Sequence, residues 1–72
     1  MTITNAAYFI NPNNGDQQAV VLYSDGSTVV WSSDGSKVES TGGDNFDNYC
    51  NSLLNSGYQP DNDPRWSAPS DP

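Results

Sequence analysis

The 72 residues carry nine acidic side chains against two basic ones, Lys37 and Arg65, with no histidine and a formal charge of −7. A chain of this length makes one small domain, near the lower limit of what folds without a metal or disulfide staple. Its charge excludes the positive footprint that direct nucleic-acid binding needs, and it disfavours attachment to an anionic membrane.

The single cysteine, Cys50, leaves no internal disulfide, and the absence of histidine removes the usual zinc and transition-metal ligand sets. No cofactor is expected. Residues Met1 to Asn5 lack the basic and apolar runs of a signal peptide, and no stretch has the length to span a bilayer. The expectation is a cytoplasmic protein, in the host cytoplasm if the gene is viral.

In chain order, residues 6–10 (Ala-Ala-Tyr-Phe-Ile) read as a strand that stops at the turn formers Asn11 to Asp16. A second strand covers residues 18–23. The stretch from Ala19 to Ser32 places β-branched and aromatic residues on both sides of Asp25-Gly26, a strong hairpin signal.

If Asp25 and Gly26 are the central pair of a two-residue turn, Leu22 faces Val29, Val21 faces Val30 and Val20 faces Trp31. Val20, Leu22, Val29 and Trp31 then share one face, while Ala19, Val21, Tyr23 and Val30 share the other. Ser33-Asp34-Gly35-Ser36 repeats the turn nine residues later. The same rule sets Trp31 opposite Val38 and Val30 opposite Glu39. The repeated Asp-Gly does not match the spacing of a calcium loop, so twin hairpin turns are the better reading.

Thr41-Gly42-Gly43 breaks the strand pattern, and Asp44 is a candidate N-cap with Asp47 in the first turn. Phe46, Tyr49, Cys50 and Leu53 fall on one helical stripe, which Leu54 widens. Gly57 is placed to end the helix. Asn45, Asn48, Asn51 and Asn55 are poor helix formers, so the helix should depend on packing against the sheet. From Gln59 onward four prolines and three aspartates exclude helix and central strand. The expected division is a domain over residues 1–58 and an extended or disordered tail over 59–72. The expected fold is α+β, an antiparallel meander of three or four strands followed by one helix packed on the sheet.

Catalysis is hard to assemble from these residues. Serine or cysteine nucleophiles have no histidine base, and Lys37 falls on an exposed strand position. The pairs Asp44/Asp47 and Asp61/Asp63 sit where aspartate serves turns and helix starts, and Gly42-Gly43 is too short a signal for a phosphate loop. The chain is not expected to be an enzyme.

Binding is easier to support. One helix covers one sheet face, which leaves Ala19, Val21, Tyr23 and Val30 in need of cover. The tail can lay Trp66 there, a second copy can make a homodimer, or a different protein can bind with Tyr23 and Trp66 as aromatic anchors. Arg65-Trp66 between prolines has the general form of a groove-docking peptide.

The expected function is a small acidic protein-interaction module, in its concrete form a viral (phage) regulatory or inhibitory protein that binds a basic surface of a host protein. Its candidate contacts are Val21, Tyr23, Asp25, Val30, Asp34, Arg65 and Trp66. The alternative is a structural or assembly protein such as a virion decoration subunit.

Overall fold

A computed structural model describes residues 1–72. The elements in chain order are β1 (Ile3–Ile10), β2 (Gln17–Tyr23), β3 (Thr28–Ser32), β4 (Lys37–Thr41), α1 (Phe46–Asn55) and β5 (Gln59–Pro60). They form one five-stranded sheet in the order β4-β3-β2-β1-β5 with a helix packed on it, the α+β meander that the sequence predicts. The short β5, formed by the first residues of the tail, pairs antiparallel with the outer edge of β1.

The hairpin turns fall where the Asp-Gly pairs predict, but their loops are longer by one residue. Tyr23 N–H donates to the Ser27 carbonyl, and Gly26 N–H donates to the Tyr23 carbonyl, both at 2.9 Å. Gly26 has φ 88°, while no residue other than glycine has a positive φ. Ser24, Asp25 and Gly26 therefore make a type I turn closed by a left-handed glycine. A two-residue turn would have forced Asp25 into the left-handed region as well.

The second hairpin repeats this geometry with Ser32, Ser36 and Gly35, whose φ is 91°. In each loop the aspartate carboxylate accepts both the backbone N–H and the hydroxyl of the serine after the glycine, Ser27 for Asp25 and Ser36 for Asp34.

One extra loop residue moves β3 by one position, and a one-residue shift reverses every side chain of that strand. Val21 faces Val29, Val20 faces Val30 and Ala19 faces Trp31. The alternation expected within β2 holds, but Val29 and Trp31 join Ala19, Val21 and Tyr23, while Val30 joins Val20. The expected opposition of Trp31 and Val38 is likewise corrected. Trp31 faces Lys37, a bulge takes up Val38, and Val30 faces Glu39 as predicted. Val38 is 48 % exposed, so it belongs to neither core.

β1 begins at Ile3, earlier than its apolar run implies, because Thr2 and Ser24 exchange hydrogen bonds beside it. The loop from Asn11 to Asp16 closes on itself through Asn11 N–H on the Asp16 carbonyl at 2.8 Å.

Helix α1 packs its stripe as predicted. Phe46, Tyr49, Cys50 and Leu53 lie with Tyr58 against Phe9, Val20 and Val30. Its C-terminus is a Schellman motif, with Tyr58 N–H on the Leu53 carbonyl at 3.0 Å and Gly57 N–H on the Leu54 carbonyl at 3.2 Å. Gly57, at φ 93°, supplies the left-handed residue that this ending requires. The N-cap is Asn45, one residue after the expected Asp44, whose carboxylate still accepts the Phe46 N–H at 3.2 Å. The buried Thr28 hydroxyl accepts the Asn45 N–H at 2.9 Å and fixes the helix entry. Thr28 in turn donates to the Gly43 carbonyl, which satisfies the one buried polar side chain of the sheet.

The opposite face holds the larger core. Ala19, Val21, Tyr23, Val29 and Trp31 are buried there together with Ala68 of the tail, and Tyr8 and Trp66 pack against them. The sheet is thus sandwiched between a helix on one face and an irregular strap on the other. Burying a valine or an aromatic side chain contributes about 1.5–3 kcal/mol relative to exposure. Both faces of this sheet therefore help to hold the domain together.

Candidate interaction surfaces

The tail is tied to the sheet through tyrosine hydroxyls. Trp31 Nε1–H donates to Tyr23 Oη at 2.7 Å, and the Tyr23 hydroxyl donates to the Pro69 carbonyl at 2.7 Å. Tyr8 Oη accepts the Ala68 N–H at 2.9 Å, and its ring meets Trp66 edge to face with centroids 5.2 Å apart. The Met1 amino group and Asp71 form an ion pair at 3.2 Å at the end of the strap. Burial pushes the Tyr23 phenol above its ordinary pKa, assisted by the negative charge of Asp71 and opposed by the Trp31 hydrogen bond.

This arrangement settles where each candidate contact residue stands. Val21 and Tyr23 are 0 % and 1 % exposed beneath the strap, and Val30 is 3 % exposed beneath the helix on the opposite face. They form neither a shared surface nor a free one. Trp66 is half-buried as part of the strap, and its indole N–H is buried without a hydrogen-bond partner. Arg65 remains exposed beside it.

Asp25 and Asp34 are exposed at the tips of the two hairpins, which lie at opposite ends of β3. Their carboxyl groups titrate below the ordinary aspartate value, because the Ser27 and Ser36 hydroxyls and N–H groups bond the charged form.

Every acidic side chain is exposed or half-exposed. The one ion pair in the molecule uses the Met1 amino group, so neither Lys37 nor Arg65 neutralises a carboxylate. Lys37 instead lies with Nζ 5.5 Å from the centre of the Trp31 ring. The acidic surface is therefore left to solvent with little internal compensation. No three histidine, cysteine or acidic side chains converge as metal ligands would. No helix is long and apolar enough to cross a membrane.

Two further features escape a sequence reading. Asp16 accepts hydrogen bonds from Tyr58 Oη and from Gln18 Nε2, the latter at 3.0 Å. This cluster ties the segment after α1 to the first loop, and the Asp16 hydrogen bond holds the Tyr58 pKa above its ordinary value. Its signal was thin, because Tyr58 follows the helix stop and its partner lies 42 residues away.

The second feature is the outer edge of β1. β5 pairs only with Phe9 and Ile10, so the strand from Ile3 to Ala7 has no neighbour on that side. A bulge at Thr4 leaves Asn5 to Tyr8 as the regular part of this edge. Beside it lies a groove of 430 Å³ between β1, the end of α1 and the start of the tail. Comparison of the chain with family models, curated proteins and solved structures finds no match.

Proposed function

We propose that the protein is a small acidic protein-binding module that acts by occupying a basic surface of a partner protein. The observation that carries this reading is the uncompensated surface charge. Seven of the nine acidic residues of the 72-residue chain are exposed and the other two, Asp16 and Asp61, are half-exposed, and the only ion pair is made by the chain terminus. A field of one sign over so small a body steers a basic partner toward it and repels acidic ones. A regulatory or inhibitory role in a host cell is the concrete form of this reading.

The hairpin carboxylates of Asp25 and Asp34 are well placed to take part, since each is fixed in position by its own serine. Asp44 and Asp47 at the start of α1 extend the same acidic character.

The test compares the immobilised wild-type domain with a variant carrying Asp25→Asn, Asp34→Asn, Asp44→Asn and Asp47→Asn, after circular dichroism has shown that both fold. Host proteins retained by the wild type should elute as salt is raised and should be lost from the variant. Retention of the same proteins by the neutralised variant at unchanged salt would overturn the electrostatic reading.

A further inference from the structure

We propose that the open edge of β1 docks an extended basic peptide segment of another protein, added to the sheet as a short strand in the line that the tail leaves at Asp61. The Asp61 N–H donates to the Tyr8 carbonyl at 2.8 Å, and there the tail departs. Along a strand, every second residue turns its backbone groups to the same side. Ala6 thus presents its N–H and carbonyl outward, as Tyr8 presents its carbonyl. The Ala6 N–H meets the Asn5 side-chain oxygen at 3.0 Å, a local bond that an incoming carbonyl can replace.

The two edges of the sheet are unequally guarded. β4 carries a bulge at Val38 together with the charged side chains of Lys37 and Glu39, devices that discourage strand addition. The β1 edge carries no charged residue from Ile3 to Ile10. The groove beside it is walled by Ala6, Phe9, Leu54, Pro60 and Pro64, and Leu54 is 45 % exposed. One apolar side chain of an added strand fits such a recess, while main-chain hydrogen bonds hold its backbone.

Charge decides the occupant. Asp61 lines the groove and no lysine or arginine does. A second copy would bring another net charge of −7 to the same edge. A segment with lysine or arginine flanking an apolar residue is attracted where a second copy is repelled. The choice of a basic occupant rests on the function proposed above, and it gives that function a location.

The test titrates the full-length protein with an acetylated peptide of alternating valine and lysine, followed by NMR of the backbone amides. A peptide with glutamate in place of lysine is the control. Amides from Thr4 to Ala7 and that of Leu54 should shift with the lysine peptide alone. Ala6→Pro removes the outward N–H without touching a β1–β2 hydrogen bond and should weaken binding about tenfold or more. Asp61→Asn keeps the local turn and should weaken binding in a salt-dependent way, so it carries the test if Ala6→Pro does not fold.

Shifts confined to the Asp25 and Asp34 turns would overturn the β1 site while leaving the acidic module standing. Absence of any shift up to about 1 mM peptide overturns the β1 site, and retention of host proteins in the salt-elution experiment then shows whether the acidic module stands without it. Equal binding of the glutamate peptide, or shifts at Thr4 to Ala7 that grow with protein concentration alone, would also overturn it. The latter would name a second copy as the occupant.

Discussion

Tyr23→Phe tests how the strap is fastened. The substitution deletes one hydroxyl that accepts from Trp31 Nε1 and donates to the Pro69 carbonyl, each at 2.7 Å. Trp31 is 6 % exposed, so its N–H has no route to water once its acceptor is gone. Stranding a buried donor costs about 1–3 kcal/mol, and losing the bond to Pro69 costs about 0.5–1.5 kcal/mol. The carbonyl of exposed Pro69 can be rehydrated, so the second loss lies at the lower end. The expected destabilisation is about 2–3 kcal/mol, against a total of about 4–11 kcal/mol for a domain of this length.

Guanidinium unfolding followed by tryptophan fluorescence measures that loss. The slope of the transition reports whether the strap stays docked, since an undocked strap exposes less new surface on unfolding. Trp31→Phe removes the stranded donor, so the double variant should be less destabilised than the sum of its parts by about 1–2 kcal/mol. A Tyr23→Phe protein within about 0.5 kcal/mol of the wild type, with an additive double variant, would refute the fastening role.

The remaining expectations concern the core, the turns and pH. Val21→Thr and Val30→Thr each bury a hydroxyl at a site that is nearly fully covered, and chemical denaturation should show a loss of about 1–3 kcal/mol in each. Gly26→Ala and Gly35→Ala should cost about 1–2 kcal/mol each, because both glycines hold left-handed backbone. Gly42→Ala, which has open space and no such conformation, should be near neutral.

The lowered pKa values of Asp25 and Asp34 stabilise the fold above the unfolded carboxylate pKa. Melting temperature should therefore fall as pH drops through the acid range, and less steeply in an Asp25→Asn, Asp34→Asn variant. The raised pKa of Tyr58 acts in the opposite sense. Its contribution is present below the unfolded tyrosine pKa and lost as pH rises through the folded one, so Tyr58→Phe should flatten the alkaline limb of the same curve.

What could be read from the chain depended on whether a feature was local. Alternation within β2 is a property of the strand itself, and so the separation of Val21 and Tyr23 from Val20 was legible. The placement of β3 depended on a single loop residue. Asp-Gly fits both a two-residue and a three-residue turn, and the signal that separates them is the serine after each glycine, bonded back to the aspartate. The agreement of Val38 with the face of Trp31 was a coincidence of the wrong register, and the bulge in β4 removed it.

The helix stripe and its stop at Gly57 were legible because periodicity and left-handed glycine are local signals. The N-cap falls one residue past Asp44, at Asn45, and the anchor of that entry is the Thr28 hydroxyl 17 residues away. The site residues were harder still. Tyr8 and Ala68 meet across 60 residues of chain, and a hydroxyl's partner at that separation leaves no trace in composition.

The way the sheet is covered narrows where a partner can act. A meander that is apolar on both sides needs two covers, and this chain supplies them from a helix and from a strap rich in proline. Proline suits the strap because a chain that crosses a sheet face without pairing has no ladder in which to lose an N–H. Tyr23, Val21 and Trp66 are spent on that closure, and they recognise a partner only if the strap leaves. Docking the strap removes the apolar faces from contention, and it draws the chain off the β1 edge after Asp61. The same turn of the backbone that completes the core therefore leaves a strand edge open. Carboxylates surround a domain with almost no positive charge to answer them, and on the function we propose recognition falls to that open edge and to the field around it.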